Sequence, residues 1–238
     1  MSDVQETSST CINKLFPTSD HIIIDGRSGW FYIWYKWLDI ASTIESDWYI
    51  YVDEDCFITD DTTILKLIKY MEDNNYDIAG QPDGCCEYRS CNYMAFNSYF
   101  MIMNKKCIDV WQNRKTIPQF KKEWIKPYPF EKRNDYTFIY DMEFGTSKKP
   151  VNMIWKAGSE PYYDFFWVLK DNNINFYYIE PFYDENFQAS VLLNHSVMHM
   201  WYQRQRYCDY NVCPIMHNGS NKKRFDDVLK YIKNEMHF

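Results

Sequence analysis

Two carboxylates one residue apart, Asp53-Glu54-Asp55, follow an apolar run, Trp48-Tyr49-Ile50-Tyr51-Val52, and precede Cys56-Phe57-Ile58. Trp, Tyr, Ile and Val favour extended backbone, and a near-continuous apolar run is what a strand covered on both faces requires. Open α/β sheets bind their ligands at the carboxyl ends of strands. On extended backbone, residues two apart point the same way, so Asp53 and Asp55 are expected to reach one divalent ion. Hard oxygen ligands suit Mg2+ or Mn2+, above all when substrate phosphates complete the shell. Asp-x-Asp is also common as a solvated strand end, so the tripeptide needs support from its surroundings.

The elements around it read as alternating strands and helices. Asp20-His21-Ile22-Ile23-Ile24-Asp25 is expected to be a short buried strand, closed by Gly26-Arg27-Ser28-Gly29. Trp30, Trp34, Trp37, Leu38, Ala41 and Ile44 recur at helical spacing. Thr59 to Thr62 offers an N-cap for a helix through Leu65, Ile68 and Met71. Residues 76–80 form the next strand candidate, and 92–104, which hold Asn97, a further strand pair or a strand plus turn. Residues 108–111 start a short helix, 161–170 another that ends at Asn172-Asn173, 176–179 form a strand, and 225–236 an amphipathic helix. This alternation predicts an α/β sandwich with a mostly parallel sheet. Residues 1–19 are expected to be a variable, partly disordered terminus, and 20–238 a single domain, since no Pro-, Gly- or Ser-rich linker divides them.

Composition narrows the function classes. The chain has 238 residues, formal net charge −7, 46% apolar residues, 21 Tyr, 9 Trp and 7 Gly. Non-specific nucleic-acid binding draws on a basic face, so this acidic balance disfavours duplex nucleic acid as a partner. No apolar run reaches the length of a transmembrane span, and the N-terminus lacks the pattern of a signal peptide, so a cytoplasmic protein is expected. Abundant Tyr and Trp provide flat amphipathic surfaces for stacking on sugars or bases. The eight Cys read as reduced thiols. Cys208-x4-Cys213 with His217 has looser spacing than closed zinc sites prefer.

The strand with its Asp-x-Asp, the later strand Phe96-Asn97-Ser98-Tyr99-Phe100-Met101, and the stretch from Glu160 to Ile179 resemble the GT-A family of nucleotide-sugar glycosyltransferases. The resemblance spans about residues 20–200 through short motifs. It implies a GT-A-like, Rossmann-like sandwich of one domain, with a mostly parallel central sheet flanked by helices. It assigns Asp25, with the Ser28 loop, to the nucleotide base or ribose, Asp53 and Asp55 to a metal bridging the diphosphate, and Asn97 to the donor-sugar strand. Glu160 and Asp164 resemble the family's acidic motif, although the usual Glu-Asp pair is replaced by Glu160-Pro161. Asn194-His195-Ser196-Val197-Met198-His199 resembles the late His segment that completes the metal shell. Only one of the two is expected to bind, His195 slightly ahead of His199.

These features imply a metal-dependent glycosyltransferase with Mn2+ or Mg2+ as cofactor. The donor would be a nucleotide sugar and the acceptor a hydroxyl on a glycan, a lipid-linked sugar or a protein. If the anomeric centre inverts, a carboxylate must take the acceptor's proton. Glu160 is favoured for that role, with Asp164 orienting the acceptor or the loop. A Mg2+-dependent nucleotidyltransferase is the rival enzyme, but no Gly-rich phosphate loop accompanies the carboxylates. A non-catalytic carbohydrate-binding protein with a decayed site is the non-enzymatic rival.

Overall fold

The computed structural model of the chain describes residues 3–26, 30–83, 92–119, 121, 124, 162–184, 186–187, 189–200 and 221–237. In chain order the elements are α1 (Asp3–Leu15), α2 (Trp30–Thr43), β1 (Trp48–Val52), β2 (Cys56–Ile58), α3 (Asp61–Asp73), β3 (Ile78–Asp83), β4 (Asn92–Asn104), α4 (Lys105–Gln112), α5 (Tyr163–Asp171), β5 (Phe176–Tyr178), β6 (Phe182–Asp184), β7 (Ala189–Leu192), β8 (Val197–His199) and α6 (Asn221–Met236). They divide into two compact units. One comprises Met1–His21, Val52–Leu65 and Pro181–Phe238, the other Ile22–Tyr51 and Lys66–Glu180.

The unit built on Ile22–Tyr51 and Lys66–Glu180 is organised by a sheet of order β1-β4-β3-β5. β3 pairs antiparallel with β4, Gly80 opposite Met101, and parallel with β5, Ile78 opposite Phe176. Trp34, Trp37, Leu38 and Ala41 form the buried stripe of α2. They share a core with Cys107, Ile108 and Trp111 of α4, Phe165, Phe166, Val168 and Leu169 of α5, and Phe96 and Phe176 of the sheet. Gly80 is required by close approach: a Cβ there would lie 2.9 Å from the Phe96 ring. Pro82 has no N–H to give the ladder, and the β3–β4 register shifts on either side of it.

Asparagine does work here that glycine usually does at helix ends. α3 closes with Asn75 at φ 58°, the Tyr76 N–H donating to the Met71 carbonyl (2.8 Å) and the Asn75 N–H to that of Glu72 (3.3 Å). α5 closes the same way, with Asn173 at φ 54° and the Ile174 N–H donating to the Leu169 carbonyl (3.1 Å). Both are Schellman caps. Each cap feeds one of two parallel neighbours, β3 and β5. The corner is held by buried Asp77, whose carboxylate accepts from Asn104 Nδ2, Lys106 Nζ and the Asn175 N–H.

The other unit has an all-antiparallel sheet, β2-β8-β7-β6. Phe57, Met198, Val191 and Ala189 share a core with Val4 and Cys11 of α1 and with Phe225, Val228, Leu229, Ile232 and Met236 of α6. The α6 residues follow helical spacing, as amphipathic docking requires. The β7–β8 turn is strained. Leu193, Asn194 and His195 all have positive φ, at 53°, 53° and 67°, and a left-handed leucine costs about 1–2 kcal/mol.

Three sequence expectations are corrected. The fold is mixed α/β, but the sheets are mostly antiparallel rather than mostly parallel. Only residues 84–91 separate β3 from β4, whereas a parallel crossover needs about a dozen residues or more. Residues 3–15 are helical, although Ser, Thr and Asn are weak helix formers. Tertiary contacts supply what propensity does not: Val4 and Cys11 are buried, and Ser8 Oγ donates to the Cys56 carbonyl at 2.7 Å. Residues 20–25 are not a buried strand; Ile22 and Ile23 are 45% and 52% exposed.

Candidate functional site

After β1 the chain turns instead of staying extended. The Cys56 N–H donates to the Asp53 carbonyl at 3.1 Å, and β2 begins at Cys56. The two-residue spacing therefore does not align the carboxylates as on a strand. Among the described residues, no three His, Cys, Asp or Glu side chains gather as a ligand set. Asp55 instead meets His199. β8 pairs with β2 so that His199 lies opposite Cys56, and the Met200 N–H donates to the Asp55 carbonyl at 2.9 Å. Asp55 Oδ1 then lies 3.3 Å from His199 Nε2, with the two side chains only 12% and 6% exposed.

Burial raises the Cys56 thiol well above its ordinary pKa, and the negative charges of Asp55 and then Asp53 raise it further. Both carboxylates thus act on one buried thiol, which is held protonated and is no nucleophile.

His195 goes elsewhere. Its Nε2 lies 2.7 Å from Asp184 Oδ2, while Asp184 Oδ1 accepts the N–H groups of Asn186 (2.9 Å) and Phe187 (3.2 Å). Thr59 Oγ1 donates to the His195 carbonyl. The geometry separates the two histidines, each beside its own carboxylate. His199 belongs to a strand and inherits its register beside Asp55; His195 belongs to the left-handed turn and pairs with a carboxylate at the end of β6. Sequence reasoning passed over Asp184, although Asp184-Glu185-Asn186 has the look of an Asx turn.

Asp25, Asp164 and Asn97 fall in the other unit. Asp25 is exposed in the irregular segment before α2. Ser28 and Glu160 lie outside the described residues. Asp164 opens α5, and its carboxyl is raised from its ordinary pKa by burial, partly offset by a hydrogen bond from Tyr35 of α2. Asn97 is buried, and its Nδ2 donates to Asp83 Oδ1 at 3.0 Å. Asp83 Oδ2 accepts from the hydroxyls of Tyr162, at 3.2 Å, and Tyr163. Close by in the chain, the Tyr99 hydroxyl donates to Gln81 Oε1. This buried polar cluster at the carboxyl end of β3 was not anticipated. The available signal was Gln81 and Asp83 inside an otherwise apolar strand, since buried polar groups demand partners.

An ion held here would meet one carboxylate oxygen from Asp55 and one imidazole nitrogen from His199. Mn2+ accepts that donor pair readily, and two protein donors leave positions for phosphate and water. Asp55 and His199 offer two donors for a divalent ion, and among the described residues no third His, Cys, Asp or Glu side chain joins them. Compared with protein-family models, curated proteins and solved structures, the chain matches none of them.

Proposed function

We propose that the protein is a divalent-cation-dependent glycosyltransferase that moves a sugar from a nucleotide-diphosphate donor to a hydroxyl acceptor on a glycan, a lipid-linked sugar or a protein. The observation that supports this reading is the buried Asp55–His199 pair, placed just past β1 on the Asp53-Glu54-Asp55 turn. A carboxylate and an imidazole withdrawn from water are costly unless paired or used, and such a pair suits Mn2+ better than Mg2+, which favours oxygen ligands. When bound, the ion would offset the negative charge that develops on the leaving diphosphate.

Asp55 and His199 would hold the cation, and Asp53 would add negative charge to the same turn. Proton removal from the acceptor is assigned to Glu160 or Asp164, on the resemblance of their segment to the acidic motif of GT-A enzymes. For Asp164, burial raises the carboxyl, which strengthens it as a base relative to an exposed aspartate. Asn97, whose Nδ2 donates to Asp83 Oδ1, remains the proposed residue of the donor-sugar strand. Asp25 and Ser28 remain the proposed base and ribose contacts.

The test is a panel of uridine, guanosine and thymidine diphosphate sugars incubated with the protein and Mn2+, scored for release of nucleoside diphosphate. Release from at least one donor, abolished by chelator and by Asp55→Asn, is the expected result. Release that persists under chelation, or no release from any donor with or without acceptor glycans, overturns the reading.

A further inference from the structure

Three tyrosines from three different segments meet at one surface. Tyr70 is on the last turn of α3, Tyr76 directly follows the Asn75 cap, and Tyr177 is at the centre of β5. The Tyr70 and Tyr76 rings stack at 6.2 Å between centroids and 21° between planes, and Tyr177 meets them at 5.4 and 5.1 Å with steep inclinations. Tyr70 is 46% exposed, and the other two are partly buried.

Part of this arrangement is explained by the helix cap. A Schellman cap commonly carries an apolar contact between the residue after the cap and the last helical turn, and Tyr76 against Tyr70 is that contact. The cap does not account for the third ring from β5, for the exposed face of Tyr70, or for the use of tyrosine three times where phenylalanine or leucine would serve. Burial raises the Tyr177 hydroxyl, and the Tyr70 and Tyr76 hydroxyls raise it further. An exposed tyrosine ring presents stacking area and a hydrogen-bonding hydroxyl together, and Tyr70, held between two further tyrosines, is 46% exposed.

Charge selects among ligands that could use it. On the same stretch of α3, Lys66 and Lys69 are matched by Glu72 and Asp73. Lys69 is paired with Asp73, and Glu72 accepts from Trp48 Nε1 at 3.0 Å. Equal numbers of each sign give no field that would attract a phosphate chain. A neutral ligand with an apolar face and a rim of hydroxyls fits, and a pyranose ring has both.

We infer that the Tyr70–Tyr76–Tyr177 surface is a carbohydrate subsite on which a pyranose ring of a neutral oligosaccharide stacks. Preorganisation favours it: the cap fixes two of the rings and the β3–β5 pairing, with Ala79 opposite Tyr177, fixes the third. The subsite needs neither metal nor nucleotide sugar and stands apart from the transfer reaction.

The experiment is ligand-observed NMR and calorimetry on the full chain in chelator, with cellohexaose, maltohexaose and chitohexaose as probes and uridine as a competitor. At least one hexasaccharide is expected to bind, Tyr70→Leu to weaken it by about tenfold or more, and Tyr70→Phe to weaken it by less, keeping the stacking face and losing only the hydroxyl. Tyr70→Leu retains the apolar contact to Tyr76, and circular dichroism checks that it folds. Binding is expected to survive Asp55→Asn, which separates this subsite from the metal reading. Binding by none of the three probes, equal binding by Tyr70→Leu, or displacement by uridine at comparable concentration overturns the assignment.

Discussion

Breaking the Asp55–His199 pair should reveal a coupled buried site rather than two independent surface residues. Asp55 Oδ1 and His199 Nε2 lie 3.3 Å apart, slightly beyond the usual N–H···O range, and a well-made hydrogen bond to a charged group contributes about 1.5–3 kcal/mol. The stretch and the desolvation of both groups reduce this, so we expect a net coupling of about 1–2 kcal/mol. Removing one member alone strands the other in a buried place, at about 3–5 kcal/mol. Against a total stability of about 5–15 kcal/mol, each single variant should remain folded with a clearly lowered urea midpoint. The assay is urea unfolding of wild type, Asp55→Asn, His199→Gln and the double variant, read by Trp fluorescence in metal-free buffer. The double variant should be less destabilised than the sum of the singles by the coupling energy. Additivity within about 0.5 kcal/mol, the pattern of distant sites, would refute the pairing.

Other perturbations test the fold and its electrostatics. Gly80→Ala places a methyl 2.9 Å from the buried Phe96 ring, so it should cost about 1–3 kcal/mol in thermal unfolding; a neutral effect would mean that β3 and Phe96 do not approach as described. Burial raises the Cys11 thiol from 9.0 to about 12. Its contribution is therefore fully present below pH 9.0 and lost as pH rises toward 12, because the unfolded thiol ionises first. Cys11→Ala should lessen the alkaline loss of stability measured by denaturation across that window, and an unchanged slope would contradict it. For Asp164, burial raises the folded carboxyl above 3.8, so its contribution is present below that value and lost as pH rises through the folded pKa. Asp164→Asn should gain stability relative to wild type on going from acid to neutral pH; a gain in the opposite direction would show that Tyr35 outweighs burial.

The helices were legible where apolar spacing was strong: α2, α3, α5 and α6 fall where Trp34 to Ala41, Leu65 to Met71, Phe165 to Leu169 and Phe225 to Met236 place them, although the face α3 buries is Ile64, Leu67 and Met71 and Leu65 is 54% exposed. β1 and β5 were legible as short aromatic runs. Strand direction was not, because alternation of strands and helices says nothing about β3 and β4, whose link is too short for a crossover. The second sheet was hidden by strands of three or four residues, too brief for periodicity to register. α1 was hidden by its Ser and Thr content, since its burial of Val4 and Cys11 depends on distant partners. At the site, Asp55 and one His were legible as types in a pattern. Their pairing was not, because it depends on the β2–β8 register, and a left-handed turn at Leu193 to His195 sends the other His to Asp184. The Asp83 cluster needed Tyr162 and Tyr163, seventy-nine and eighty residues away in the chain.

The most direct measurement is a titration of Mn2+ into the full chain, with free ion counted by electron paramagnetic resonance, in wild type, Asp55→Asn, His199→Gln and His195→Gln. One ion per chain should bind in wild type, more tightly with a nucleoside diphosphate present. Asp55→Asn and His199→Gln should weaken binding by about tenfold or more, in line with loss of one ligand or its orienting partner, while His195→Gln should leave it unchanged. No specific Mn2+ in wild type with nucleoside diphosphate, or loss of the ion in His195→Gln with retention in His199→Gln, would contradict the proposed site.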